Sequence, residues 1–285
     1  MVDKTLDELN SVLQQFADKI EDVKNQPDKI DDAFNKAAIA TAAAEGGAAT
    51  TPILLGPVGL VVGGIYGAIT HDDFTGYLSS HKEEIKGKIK DLLEKLREAI
   101  EGLKAPVAFL QTSEDWLKLK SKIGQAQNNE VVSGNLTGYW SGAAADKYLA
   151  TRLLQDTALD SAKAICDKLH TDLTAVANAA WQFYSDIVEE LTKFLSGFAG
   201  ALLKIATGVA APVGISDAID LLTKIISTAV TYLKKLGGAL LIQGNSIIEV
   251  AEATDNQKAF KNNQWPHSTA SDFDANAPTP DWQAR

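Results

Sequence analysis

Few side chains in this sequence have the types and spacing that catalysis or metal binding requires. None of the four histidines lies in a His-Glu-x-x-His pattern, which would place two imidazoles on one helix face to bind zinc. The chain also lacks the Gly-x-x-x-x-Gly-Lys loop that binds phosphates and the Gly-x-Ser-x-Gly turn that presents a nucleophilic serine. We therefore predict no catalytic residue, no metal, no cofactor and no small-molecule substrate, and we expect a protein that is not an enzyme.

One segment near the C-terminus has the beginning of a calcium-binding pattern. Asp272, Asp274 and Asn276 have the spacing of the first three ligands of an EF-hand loop. Ala277 stands where that loop needs glycine, and Gln283 stands where it has a bidentate glutamate. We therefore exclude a calcium site of this kind.

Charge and cysteine content exclude further classes of function. The formal net charge of −10 opposes binding to phosphate backbones, and basic residues alternate with acids, as in 82–84 and 94–98. We therefore expect no nucleic-acid partner. Cys166 is the one cysteine, so no intrachain disulfide can form, and its helical spacing favours a packing role over that of a nucleophile.

The uncharged segment 46–70 is a candidate for membrane contact or close helix packing. Its glycines recur at every fourth position, at Gly59, Gly63 and Gly67. On a helix they would lie on one face and let a second backbone approach closely. The stretch, which includes Pro57 and Leu60, is about as long as the roughly 20 residues that a helix needs to cross a bilayer.

Two structures for this segment remain open. In a membrane, the three glycines would pack inserted helices against each other. In the protein interior, the segment would form the buried tip of a hairpin, and the glycines would serve turns. Pro52 and Pro57 favour the second structure, because a proline interrupts the hydrogen bonding of a spanning helix.

A second motif lies between two segments with helical spacing. Trp140 and Gly142 are followed by three alanines and then by Tyr148. A tryptophan can fill the apex of a helical hairpin, and a glycine two residues later permits a tight chain reversal. We therefore expect a hairpin turn at Trp140 and Gly142, with Tyr148 near the start of the second helix.

From Ser113 to Ser196 this arrangement resembles the WXG100 family of small secreted helical hairpins. The resemblance implies a substrate or partner protein of a bacterial type VII (ESX-like) secretion system, which binds partner helices or further copies of itself. It also implies that Trp140, Gly142 and Tyr148 shape the hairpin end that such systems recognise.

The resemblance further implies a secreted or cell-surface protein that is exported without a signal peptide after a cytoplasmic stage. The acidic N-terminus agrees, because it lacks the basic and apolar regions of a signal peptide. The family's export signal, Tyr-x-x-x-Asp/Glu, is absent: Val188 stands four residues after Tyr184, and Glu189 lies one place too far.

The helical spacing of apolar residues predicts the helices that flank these motifs. Apolar residues recur at steps of three and four over 6–23 and 85–103, as in helices that pack in pairs. There is neither glycine nor proline over 143–196, and the apolar residues of 165–202 have a period of about 3.67, which predicts a long, nearly straight helix. We predict an all-α fold, an elongated bundle of long antiparallel coiled-coil-like helices.

Three regions follow from these patterns. An N-terminal helical hairpin covers 1–108, with 46–70 at its tip, and the Trp-x-Gly hairpin with a final helix covers 109–255. The polar tail 256–285 has no helical apolar stripe, so we expect it to be extended or disordered. The aromatic residues of the tail either pack back onto the helices or dock a partner; they are Trp265, Phe273 and Trp282.

Capping residues and prolines predict where helices begin and end. Pro27 should break the first helix, and Pro106 should end a later one. The residues predicted to begin helices are Thr5, Ser80, Ser113 and Ser216. The residues predicted to share one face of the last helix are Ile219, Leu222, Ile226, Val230, Leu233 and Leu236.

Besides the secretion hypothesis, two other functions remain open. The chain could be an α-helical pore-forming or membrane-inserting protein that exposes its 52–69 segment, with a lipid membrane as its partner. It could also be a purely structural assembly protein. Membrane binding and secretion are compatible with each other.

Overall fold

The computed structural model describes residues 5–46, 71–255, 260, 264–266 and 283–284. About 90% of it is helical, which confirms the predicted all-α class. The helices of this described part are α1 (Leu6–Lys24), α2 (Gln26–Gly46), α3 (His71–Lys95), α4 (Arg97–Glu101), α5 (Ala105–Ser133), α6 (Ala143–Ala206) and α7 (Ala211–Asp255). Two short strands, β1 (Trp140–Ser141) and β2 (Gln283–Ala284), pair antiparallel.

The described residues group into two compact units. Unit 1 contains those of Ala105–Ala179 and Gly238–Arg285, and unit 2 contains those of Lys4–Lys104 and Ala180–Gly237. Helices α6 and α7 each contribute residues to both units. This grouping is discontinuous along the chain, whereas the predicted regions 1–108, 109–255 and 256–285 are continuous.

The predicted start of α1 is confirmed. The hydroxyl of Thr5 accepts a hydrogen bond from the Glu8 amide at 3.2 Å, and the Glu8 carboxylate accepts one from the Thr5 amide at 2.9 Å. These bonds satisfy two amides that a helix start otherwise leaves unpaired. The predicted break near Pro27 is also confirmed, because α1 ends at Lys24 and α2 begins at Gln26.

The three serines that were predicted to begin helices lie inside helices instead. Ser80 lies within α3, Ser113 within α5 and Ser216 within α7. The buried Ser113 hydroxyl donates to the carbonyl of Leu110 at 2.8 Å, a local bond that lets serine occupy a helix interior. The helix predicted to end at Pro106 does end shortly before it, because α4 stops at Glu101; Pro106 itself lies in the first turn of α5, where no amide is required.

The core of unit 2 consists largely of the apolar residues whose regular spacing in the sequence predicted buried helix faces. In α1 the buried residues are Leu9, Val12, Leu13, Phe16, Ile20 and Val23. In this part of α6 they are Ala180, Phe183, Tyr184, Ile187, Leu191, Phe194, Phe198, Ala201, Leu202 and Ile205. The buried faces of α1 and α6 contact each other at Phe16 and Tyr184, whose rings pack edge-on with centroids 5.0 Å apart.

The predicted apolar face of α7 lies beside the buried face rather than on it. Of its six residues, Leu222 is buried and the other five are half-buried. The buried face instead contains Ala211, Ile215, Ala218, Leu222, Ile225 and Ala229. Because α7 carries apolar residues around much of its circumference, its sequence fits more than one helical stripe.

Tyr184 makes the stability of unit 2 depend on pH. Its side chain is 3% exposed, its hydroxyl donates to the Ala99 carbonyl at 2.8 Å, and burial raises its pKa to about 12. An unfolded tyrosine ionises near pH 10, so above that pH the unfolded chain loses a proton that the folded chain keeps. We expect stability to be unaffected by this group below pH 10 and to fall by up to about 2–3 kcal/mol towards pH 12.

Urea unfolding of the wild type and Tyr184→Phe at pH 8 and pH 11 tests this. The substitution should cost about 1 kcal/mol at pH 8, because the Ala99 carbonyl loses its donor, and should reduce the further loss at pH 11. Equal losses between the two pH values in both chains would show that the Tyr184 phenol is not the titrating group.

Candidate functional site

The connection between α5 and α6 is a short turn built on glycine conformations. Gly138 and Gly142 have φ angles of 91° and 106°, which side chains with a Cβ rarely adopt. The Tyr139 amide donates to the Leu136 carbonyl at 3.1 Å, and the Asp146 amide donates to the Gly142 carbonyl at 3.1 Å. Helix α6 therefore begins directly after Gly142, and the Trp-x-Gly motif lies in the turn between two helices.

We predict that Gly142→Ala destabilises this turn. A Cβ at a φ of 106° is strained, and such strain costs about 1–3 kcal/mol. Hydrogen exchange of the turn amides and of the first turn of α6 should increase, with little change in unit 2. Gly124→Ala is the matched control, because it lies inside α5 and its added Cβ meets nothing within 4 Å. Equal effects of the two substitutions would contradict the strain at Gly142.

Tyr148 and Arg152 fasten α6 to the end of α5. The Tyr148 hydroxyl and the Arg152 Nη1 both donate to the Gly134 carbonyl, at 2.9 and 2.8 Å. Arg152 Nη2 donates to the Glu130 carbonyl at 3.0 Å, and its Nε pairs with the Glu130 carboxylate at 2.8 Å. The Gly134 carbonyl, just past the end of α5, thus receives two side-chain donors, and the Glu130 carbonyl receives the Arg152 bond in addition to one from the Gly134 amide at 2.8 Å. We call Glu130, Gly134, Tyr148 and Arg152 the hairpin clamp.

Two buried carboxylate oxygens, one in the clamp and one next to it, lack a donor in the described part of the chain. Glu130 Oε2 and Asp156 Oδ1 are buried and have no hydrogen-bond partner among the described residues. Asp156 lies one turn after Arg152 on α6. The hydrogen bond that Arg152 donates to the Glu130 carboxylate raises the pKa of Arg152 above its ordinary value, so the guanidinium stays charged. The guanidinium is therefore the group on which the clamp depends.

Trp140 lies in β1, and its main chain is part of the antiparallel pair with the C-terminal segment. In the register of this pair, Trp140 is opposite Ala284 and Ser141 is opposite Gln283. The Trp140 side chain lies outside the described part, as do the predicted segment residues Pro57, Gly59, Leu60, Gly63 and Gly67. Of the predicted site residues, the structure thus places Gly142 just before α6 and Tyr148 in the second turn of α6, where its hydroxyl reaches the Gly134 carbonyl at the end of α5.

Unit 1 exposes a series of large apolar side chains near this turn. On α5, Val131 and Val132 are 52% and 83% exposed, and on α6, Leu153 and Leu154 are 69% and 57% exposed. Solitary exposed apolar residues are ordinary, but several within two neighbouring helices are typical of protein interaction surfaces. These side chains are candidates for contact with partner helices.

A further apolar surface lies on α7. Within the described part, Ala211–Glu252 is the one stretch of helix long and apolar enough to cross a membrane by length and composition, and 11% of its most apolar 18 residues are buried. Its exposed side chains include Leu240, Leu241, Ile242 and Ile248. The sequence patterns led instead to the 52–69 segment, because that segment is uncharged and has glycines at every fourth position.

The structure gives no support for chemistry at the remaining candidate residues. Cys166 is 3% exposed, and burial raises the pKa of its thiol, which disfavours the reactive thiolate. In the described ranges, no group of three or more His, Cys, Asp or Glu side chains is placed to hold a metal ion.

The sequence patterns did not identify Arg152 and Glu130. Glu130 is flanked by uncharged residues and lies 22 residues before Arg152, so no local charge pattern links the two. One available signal was the spacing of Tyr148 and Arg152, which places them one helical turn apart beside the Trp-x-Gly motif. The pairing of β1 with Gln283–Ala284 had no comparable signal in the sequence.

Comparisons with known proteins give no match: no family model fits the chain, and neither a curated protein nor a solved structure is significantly similar to it.

Proposed function

We propose that this chain is a non-enzymatic, type VII secretion-associated helical protein of the WXG100-like class. It would be a substrate or a partner protein of such a secretion system. The observation that carries the proposal is the geometry of the α5–α6 hairpin. A Trp-x-Gly motif lies in the turn, Gly142 has a positive φ, and Tyr148 binds the end of the preceding helix. The motif and the hairpin geometry coincide at the same residues.

The surface of the hairpin supports binding of partner helices. Helices that associate along their length need exposed apolar side chains, and α5 and α6 provide them near the turn, at Val132 and Leu153 among others. The predicted elongated, antiparallel arrangement of helices belongs to this proposal. The partner would be a helical protein or a second copy of the chain, and the protein would act outside the cell or at its surface after export.

Export in cells tests the proposal. A tagged chain is produced in bacteria that carry a type VII secretion system and in the same strain without the ATPase of that system. We expect the protein in the culture medium or at the cell surface of the first strain alone, with a cytoplasmic marker retained in both. Equal export from the two strains, or retention in both, would contradict the proposed role.

The second candidate function is insertion into membranes. The observation that favours it is the exposed apolar face of α7, since a soluble core helix of the same composition would be mostly buried. Lys234 and Lys235, on the same exposed part of the helix, would suit anionic lipid headgroups. In this form the protein would use α7, the 52–69 segment, or both.

Liposome flotation and dye release at neutral and acid pH test this second function. Leu241→Glu alters the α7 face, Gly63→Leu alters the 52–69 segment, and Ile39→Glu on α2 is a control at another exposed apolar residue. If α7 inserts, Leu241→Glu should abolish binding and the control should retain it. Failure of the wild type to float at either pH would exclude membrane insertion by either segment under these conditions.

A further inference from the structure

The end of the chain returns to the turn that contains the Trp-x-Gly motif. The strand Gln283–Ala284 pairs antiparallel with Trp140–Ser141, so the C-terminal segment covers one backbone edge of the turn. Such an edge presents amides and carbonyls that accept any extended chain in register. The described contact shows that the chain's own C-terminal segment fits this edge.

A second contact holds the tail on the same hairpin. The side-chain amide of Gln155, on α6, donates to the carbonyl of Pro266 at 2.8 Å. Next to it, the ring of Trp265 lies 6.2 Å from the ring of Phe260. The tail therefore meets the α5–α6 hairpin at two separate places, one on α6 and one at the turn.

Both contacts recognise main chain rather than particular side chains. Strand pairing uses amides and carbonyls, and the bond from Gln155 also ends on a carbonyl. Sites of this type bind an extended segment whose backbone is held in register. A separate polypeptide in an extended conformation could occupy the same positions only if the tail left them.

We propose that the C-terminal segment is an intramolecular ligand of the Trp-x-Gly turn. It adds a strand to Trp140–Ser141 and is held along α6 by Gln155, so it covers the hairpin end until a partner displaces it. The proposed docking of the tail depends only on the strand pair and on the Gln155–Pro266 hydrogen bond. Its consequence for a partner's access to the turn rests on the proposed function.

Disulfide trapping in the full-length chain tests the docking directly. Ser141→Cys and Gln283→Cys are combined with Cys166→Ser, because directly paired antiparallel residues have Cα atoms about 4.5–5.5 Å apart, within disulfide range. The control pair is Asp160→Cys with Gln283→Cys; residue 160 lies about 25 Å along α6 from the start of that helix. We expect rapid, nearly complete crosslinking in the first pair and little in the second. Equal crosslinking in both pairs, or none in the first, would overturn the proposal.

Hydrogen exchange gives an independent test without new cysteines. A chain that ends at Asp255 should exchange one amide of the Trp140–Ser141 strand about tenfold faster than the full chain, because only one of two consecutive residues in an antiparallel strand donates to the partner strand. A synthetic peptide of residues 260–285 should restore the protection when added to the truncated chain. Unchanged exchange after truncation, with helix content preserved, would overturn the proposal.

The docking of the C-terminal segment and the proposed secretion role can be disproved independently of each other. Trapping and exchange use the purified protein, so they report on the docked tail whether or not the chain is exported. If the tail docks as proposed and export does not depend on the secretion ATPase, the intramolecular contact stands and the secretion role falls. If the tail does not dock and export depends on the ATPase, the reverse holds.

Discussion

Gly214→Ala is expected to destabilise unit 2 by about 2–3 kcal/mol, an effect typical of overpacking in a closely packed interior. A Cβ at this position of α7 would lie 2.6 Å from the Ala201 carbonyl oxygen and 2.8 Å from both the amide nitrogen and Cγ1 of Ile205. Two of these three atoms belong to the backbone of α6, which cannot rotate away. The two helices would have to separate to accommodate one methyl group.

Gly200→Ala is the matched control for this prediction. Gly200 lies inside α6, and its added Cβ would meet nothing within 4 Å. Because alanine loses less conformational freedom than glycine in a helix, this substitution should stabilise the protein by about 0.5–1 kcal/mol. Urea unfolding followed by circular dichroism measures both variants. Equal stability of Gly214→Ala and the wild type would show that α6 and α7 are not in close contact here.

Arg152→Ala is expected to have the second large effect, a loss of about 2–4 kcal/mol in the stability of the α5–α6 hairpin. The Arg152 side chain is 12% exposed, and the substitution removes donors from the Glu130 carbonyl, the Glu130 carboxylate and the Gly134 carbonyl. Glu130 already has one buried oxygen without a partner, and the change would remove the side-chain donor that Arg152 gives to its other oxygen.

Arg152→Lys separates the contribution of charge from that of geometry. Lysine keeps the positive charge, but its single ammonium cannot reproduce the fork of a guanidinium, so we expect partial recovery. Lys118→Ala is the control, because it breaks an exposed ion pair with Asp115 and should leave stability unchanged. Hydrogen exchange in the last turn of α5 provides the local measurement. Full rescue by lysine would contradict the role assigned to the hydrogen-bond fork.

The sequence patterns predicted the helical class and many of the buried residues because periodicity reports directly on one-sided burial. The seam of α1 and the long apolar row of α6 are examples, since each has polar residues on its other faces. For α7 the predicted face was displaced from the buried one, because its apolar residues fit several stripes. The choice among them depends on the close approach of Gly214 to α6, which no local pattern encodes.

Helix starts were predicted well only where two signals agreed. Thr5 has a glutamate three residues later and is preceded by a short polar segment, and it caps α1. Ser80 has the same spacing to Glu83 but lies within α3, because the helix begins upstream at His71. A serine can bond to carbonyls of its own helix as well as cap the next one, so its presence does not fix a boundary.

The turn at Gly142 could be predicted from the sequence, whereas the groups that hold it could not. Glycine two residues after a tryptophan, between helical segments, is a local signal for a chain reversal. The clamp joins Glu130 to Arg152 through the fold, and the strand pair joins Ser141 to Gln283 across most of the second half of the chain. Such contacts depend on how the chain folds back, which local residue spacing does not determine.

The most direct test of the proposed secretion role is the export of Trp140→Ala from bacteria with a working type VII system, compared with that of the wild type. The variant should remain folded, with unchanged helix content, and should accumulate inside the cells while the wild type is exported in a manner that depends on the secretion ATPase. Export of the folded variant at the wild-type level would contradict recognition of the Trp-x-Gly turn.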